Sequence, residues 1–110
     1  MLTPAQAFNG VEINNQEVTT QYGNAYFTLF KDGLKMIRYD TRVLPIASTL
    51  IVPISDFPNG FAPNNNGYYT CGIDRHGFPR AYYLASTGFG AYAARSEETM
   101  AGGSVIMYYY

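Results

Sequence analysis

The feature that most constrains this chain is a pair of β-rich segments joined by a short charged turn. The segments span residues 68–73 and 78–84, and Asp-Arg-His-Gly joins them at 74–77. Asp favours the first position of a turn and Gly the position that needs a positive φ, so a four-residue hairpin loop is predicted. Alternation along the first segment places Tyr68, Thr70 and Gly72 on one face and Tyr69, Cys71 and Ile73 on the other. Because both faces carry an aromatic ring, we expect one face to pack on the domain's own core and the other on something outside it.

The rest of the chain repeats this short-strand pattern. Asp32-Gly33 between residues 25–30 and 34–39 predicts a second hairpin, since Asp-Gly between β-rich arms is the strongest short-range signal for one. Further strands are predicted at 11–14, 18–22, 47–52, 89–95 and 104–110, with a turn at 14–16, a long loop at 55–66 and a turn region at 96–103. A short helix from residue 96 to 101 competes with that last turn.

About eight strands spaced near ten residues apart predict an all-β fold, an antiparallel β-sandwich or a jelly-roll-like barrel. A length of 110 residues corresponds to one domain. We assign residues 1–10 to a lead-in or linker and residues 11–110 to a single β domain. Only 14% of the residues are charged, against 11 Tyr and 7 Phe, so the sequence predicts apolar surface beyond what a monomer tolerates. We therefore expect a homotrimer.

Composition also excludes several classes of partner and cofactor. Seven Lys and Arg against eight Asp and Glu argue against a nucleic-acid footprint and against an anionic membrane surface. The longest apolar run, residues 50–54, is far too short to cross a bilayer, so no membrane insertion is expected. The start of the chain has no basic region before an apolar one, which indicates synthesis in a cytoplasm. One Cys and one His rule out a zinc cluster and an intrachain disulfide, and no cofactor is expected.

Catalysis has little support in the sequence. His76 is the only side chain whose ordinary pKa lies near neutrality, and there is no Gly-x-Ser-x-Gly motif and no Gly-rich phosphate loop. Glu97 and Glu98 are adjacent and point apart. A glycosidase needs two acids that face each other across a groove, and nothing in the sequence shows that Asp56 and Asp74 converge in this way. Cys71 is expected to be a buried, inert residue of a strand. The sequence predicts a protein that is not an enzyme and has no catalytic residues.

Several stretches resemble the C-terminal head domains of receptor-binding proteins from tailed phages that infect Gram-positive bacteria. They are a Phe-x-Pro loop at 61–63, Tyr-rich segments at 66–74 and 80–84, and a glycine-led final strand at 102–110. The resemblance covers roughly residues 40–110. It implies a compact trimeric β-barrel or jelly roll at the tail tip or baseplate of a virion, among other tail proteins. It also implies a tail-fibre function in host adhesion, in which shallow aromatic and polar sites bind a cell-wall or surface saccharide.

The expected saccharide site is the hairpin tip and the strand after it, with Asp74, Arg75, His76, Arg80 and Tyr82 as its residues. Arg80 and Tyr82 share one strand face, and the charged tip at the start of that strand would complete a polar rim. The alternative is that Tyr82 belongs to the core and Arg80 to an ion pair at a subunit contact. At the level of function, the alternatives are a structural tail or baseplate decoration protein without its own ligand and, with less support, a glycan-cleaving enzyme.

Overall fold

The computed structural model describes residues 12–73, 77–94 and 104–110, with side chains from residue 15 onward. The predicted lead-in, the hairpin tip at 74–76 and the turn region at 96–103 lie outside these residues. The described part contains eight β-strands: β1 (Glu12–Thr20), β2 (Gly23–Phe30), β3 (Lys35–Thr41), β4 (Thr49–Pro53), β5 (Tyr68–Ile73), β6 (Pro79–Ala85), β7 (Gly88–Ala91) and β8 (Ser104–Tyr109). A single 3-10 turn, Ile54–Asp56, follows β4. Among these residues no helix has the length and apolar character needed to cross a membrane.

The strands form two four-stranded antiparallel sheets. The first sheet has the order β1-β2-β3-β8 and the second the order β4-β7-β6-β5. In the second sheet, β5, β6 and β7 follow one another as hairpins and β4 lies beside β7, which is the spatial order of a Greek key. The predicted all-β architecture of two antiparallel sheets is confirmed, and so are both predicted hairpins. Gly77 has a φ of +82°, the conformation that the turn chemistry predicted.

Strands β5 and β8 bring one edge of each sheet together. The Thr70 hydroxyl donates a hydrogen bond to the carbonyl oxygen of Ile106, at 3.1 Å. The N–H of Tyr110 donates to the Tyr68 hydroxyl at 3.3 Å, and the Tyr68 ring meets the Tyr109 ring edge-on. These contacts hold the final strand against the central hairpin as well as against β3.

The core lies between the inward faces of the two sheets. Alternation in β2, β3 and β8 sends every second side chain inward, as expected for a sheet with one solvated face. The fully buried side chains include Phe27, Ile37, Tyr39, Leu44, Val52, Phe61, Tyr82, Leu84, Phe89 and Tyr109. The rings of Phe57 and Phe61 both pack edge-on against Phe27, which fixes the long loop before β5 to the first sheet.

Two expectations about individual elements are wrong. Residues 11–22 were expected to form two strands around a turn at 14–16, but β1 runs from Glu12 to Thr20 with one register irregularity between Glu12 and Asn14. Pairing with β2 along its whole length outweighs the weak turn preference of Asn and Gln. Cys71 was expected to be buried, but its side chain is exposed because it shares the outward face of β5 with Tyr69 and Ile73.

Candidate functional site

The structure places two of the expected saccharide-site residues in the interior. Arg80 is 1% exposed and Tyr82 is fully buried. The two side chains share a strand face, as the alternation predicted, but that face of β6 points toward the first sheet. This placement matches the alternative interpretation of Tyr82 as a core residue. Asp74, Arg75 and His76 lie outside the described residues, so a site at the hairpin tip stays a prediction.

Arg80 connects three backbone segments. Its Nε donates to the carbonyl oxygen of Tyr92 at 3.0 Å, and its Nη2 donates to the carbonyl oxygens of Pro45 and Ala47 at 2.7 and 3.2 Å. A buried guanidinium is stable where hydrogen bonds replace its lost hydration. Arg80 therefore holds the loop before β4 and the segment after β7 against β6, which positions the ring of Tyr92.

The outward side of the second sheet carries a cluster of aromatic rings. Tyr69 and Tyr92 are stacked at 6.4 Å between ring centroids, with 16° between their planes, and Tyr83 meets Tyr92 at 5.0 Å. The Tyr83 ring lies over Gly90, where an added Cβ atom would sit 2.4 Å from the Tyr83 hydroxyl oxygen. Only glycine on β7 leaves room for that ring. The neighbouring rings reduce the hydration of the Tyr92 hydroxyl, and this effect, followed by the charge and hydrogen bond of Tyr69, raises its pKa.

We call this outward side of the second sheet the aromatic face. Its largest exposed side chains are Tyr69, Ile73, Tyr92 and Leu50. Arg80 is the one charged residue in the four strands of this sheet, and it points inward. The aromatic face is therefore apolar with a few tyrosine hydroxyls, a composition typical of contacts between proteins.

The outward side of the first sheet has a different character. Strand register places Glu17 opposite Tyr26 and Tyr26 opposite Arg38, so one row across β1, β2 and β3 holds an acid, an aromatic ring and a base. A concavity of about 370 Å³ lies over this row. We call it the groove, and its lining includes Asn15, Glu17, Tyr26, Thr28, Met36 and Arg38.

Contacts within the groove fix several of these groups. The guanidinium carbon of Arg38 lies 4.4 Å from the centre of the Tyr26 ring, a cation–π geometry. Arg38 also pairs with Asp40 at 3.3 Å, with about two-fifths of each side chain exposed. The Thr28 hydroxyl donates to the Asn15 side-chain oxygen at 2.7 Å. The groove thus offers a partly exposed ring beside donors and acceptors held in place by their neighbours.

The groove is lined by an acid, an aromatic ring and a base. Among the described residues no three His, Cys, Asp or Glu side chains come together as a metal site. The sequence alone did not identify the groove, because it predicts the Asp32-Gly33 hairpin without the strand register that places Tyr26 opposite Arg38. Glu17 and Asn15 lie beside Tyr26 and Arg38 only because β1 is one continuous strand.

Comparison of this chain with protein-family models, with curated proteins and with solved structures found no match.

Proposed function

We propose that this protein is a host-recognition module of a phage virion that binds a cell-surface saccharide in the groove, without cleaving it. The row of Glu17, Tyr26 and Arg38 beneath a concavity supports the saccharide site. The resemblance of residues 40–110 to phage head domains supports the virion role. A sugar ring has an apolar face of C–H groups and a rim of hydroxyls. Tyr26 offers an aromatic surface for the former, and Glu17 and Arg38 offer an acceptor and donors for the latter.

The size and shape of the groove fit a weak site. Ligand pockets of about 300–1,000 Å³ are usual, so a volume of about 370 Å³ suits one or two sugar units. In the proposed assembly the chain is a homotrimer with a jelly-roll-like barrel, carried at the tail tip or baseplate by other tail proteins. Several grooves that engage one cell wall together convert weak single contacts into durable attachment.

The test is a glycan array on the purified protein, followed by titration of a soluble oligosaccharide taken from its hits. Glu17→Gln keeps the size of the side chain and removes its charge, and Tyr26→Leu keeps an apolar group and removes the ring. We expect each variant to weaken binding about tenfold, roughly the value of one charge-assisted hydrogen bond or one ring contact. Tyr110→Leu is the matched control, because Tyr110 is exposed beyond the end of β8 and does not line the groove.

Other outcomes decide between the alternatives. Absence of binding to any saccharide, with assembly onto virions retained, would support a structural decoration protein instead. Unchanged affinity in both groove variants would exclude the groove, and loss of binding in Arg75→Ala and His76→Ala would then place the site at the hairpin tip. Release of shortened glycan during the titration would show an enzyme.

A further inference from the structure

The aromatic face is too apolar and too exposed to be explained by the proposed saccharide site, which lies on the other sheet. Tyr69 and Ile73 are 65% and 67% exposed, and Tyr92 and Leu50 are each at least 40% exposed. Large side chains offer roughly 150–250 Å² each, so these four leave on the order of 400 Å² of apolar surface exposed. A stable protein interface buries about 800 Å² on each partner, and the smaller neighbours Cys71, Pro79 and Ala81 extend the face toward that size.

Charge indicates which partner this face fits. None of the outward side chains of β4, β5, β6 and β7 is charged. A partner with an acidic or basic surface would lose the hydration of its charges there without gaining an opposite charge. Copies of this chain that meet through this face around a common axis bring no charge to the contact, and its tyrosine hydroxyls provide hydrogen bonds at a wet rim.

We propose that a second copy of this chain docks on the aromatic face. Tyr69 and Ile73 are its central contacts, and Cys71 lies between them on the same face of β5. The proposal rests on the proposed function only for the number of chains in the assembly, which is three in the proposed homotrimer. The contact itself follows from the composition and exposure of the face.

Cys71 is a native reporter of this contact, because it is the only cysteine in the chain. We expect its thiol to react slowly with the aromatic disulfide DTNB at high protein concentration, where copies cover it. Dilution should increase the rate at least tenfold as the assembly dissociates. A light-scattering mass of one chain at high micromolar concentration would overturn the proposal, as would a DTNB rate independent of protein concentration.

Two variants locate the contact. Tyr69→Ser and Ile73→Thr should each reduce the mass to one chain at micromolar concentration and make Cys71 fast-reacting, with the circular dichroism spectrum unchanged. Tyr108→Ser, on the outward side of the first sheet, should leave mass and rate as in the parent. An unchanged mass in both folded aromatic-face variants would exclude this surface, and the dilution experiment remains decisive if either variant fails to fold.

The proposal and the saccharide function fail separately. Titration with a soluble oligosaccharide measures single-site affinity, so it does not depend on the number of copies. Loss of self-association in Tyr69→Ser with that affinity intact supports both proposals. Self-association without saccharide binding would support the contact through the aromatic face and contradict the proposed function. Saccharide binding by a chain that never associates would support the proposed function and contradict the contact.

Discussion

The hydroxyl of Tyr109 donates a hydrogen bond to the backbone carbonyl oxygen of Phe61, with 2.7 Å between the two oxygens. Both side chains are buried, so this bond joins the final strand to the long loop before β5 inside the core. Tyr109→Phe keeps the ring and leaves the Phe61 carbonyl oxygen without this donor. We expect the free energy of unfolding to fall by about 1–2 kcal/mol, measured by urea denaturation.

The control for Tyr109→Phe is the adjacent Tyr108→Phe, whose hydroxyl lies on the exposed face of β8. Its effect should stay within about 0.5 kcal/mol. Equal effects of the two substitutions would contradict the structural role of the Tyr109 hydroxyl.

Tyr82 is expected to contribute to stability. Its ring stacks on Phe89 at 5.9 Å with 7° between the planes, and it lies 6.2 Å from the ring of Tyr39. Tyr82→Ala should lower the free energy of unfolding by about 3–5 kcal/mol, because removal of this buried ring leaves a cavity that the surrounding core only partly fills. Tyr108→Ala is the surface control. If Tyr82→Ala lowered the saccharide affinity without lowering the free energy of unfolding, Tyr82 would be a binding residue and not a core residue.

Arg80 and Arg38 provide a matched comparison of a buried and an exposed guanidinium. Arg80→Met should cost about 2–4 kcal/mol, because three carbonyl oxygens lose their charged donor. Arg38→Met should cost less than about 1 kcal/mol, since its ion pair with Asp40 is at the surface. Chemical denaturation of both variants measures the difference, and similar costs would mean that Arg80 does not hold its three segments together.

Alkaline pH should destabilise the protein through its buried tyrosines. Burial raises the pKa of Tyr39 and of Tyr109 well above the ordinary value of 10. In the unfolded chain the same hydroxyls ionise near pH 10. Their contribution to stability is therefore complete below pH 10 and decreases above it by about 1.4 kcal/mol per pH unit for each tyrosine.

Tyr109→Phe isolates one of these two contributions. Its stability deficit relative to the parent should shrink by about 1.4 kcal/mol between pH 9 and pH 11, because only the parent's unfolded chain gains a tyrosinate at that position. Urea unfolding at both pH values measures this change. A deficit that stays constant with pH would show that the folded hydroxyl ionises as readily as the unfolded one.

Some features of this fold follow from local sequence. The hairpin between residues 25–30 and 34–39 was predicted, because Asp-Gly between β-rich arms favours a tight turn without any distant contact. The hairpin of β5 and β6 was predicted for the same reason. The grouping of Arg80 with Tyr82 on one face follows from the two-residue period of a strand alone.

Alternation assigns residues to faces but does not say which face is inside. Tyr82 and Tyr83 are adjacent and chemically identical, and only packing of β6 against the first sheet buries Tyr82 and leaves Tyr83 over Gly90 on the outward side. The groove likewise needs Glu17, Tyr26 and Arg38 from three strands, and their pairing depends on long-range backbone hydrogen bonds that made β1 continuous. The sequence by itself therefore determined where the strands lie and which of their residues share a face. Which face of each strand is buried was decided by the tertiary structure, because the free energy of burial depends on the sheet that lies opposite.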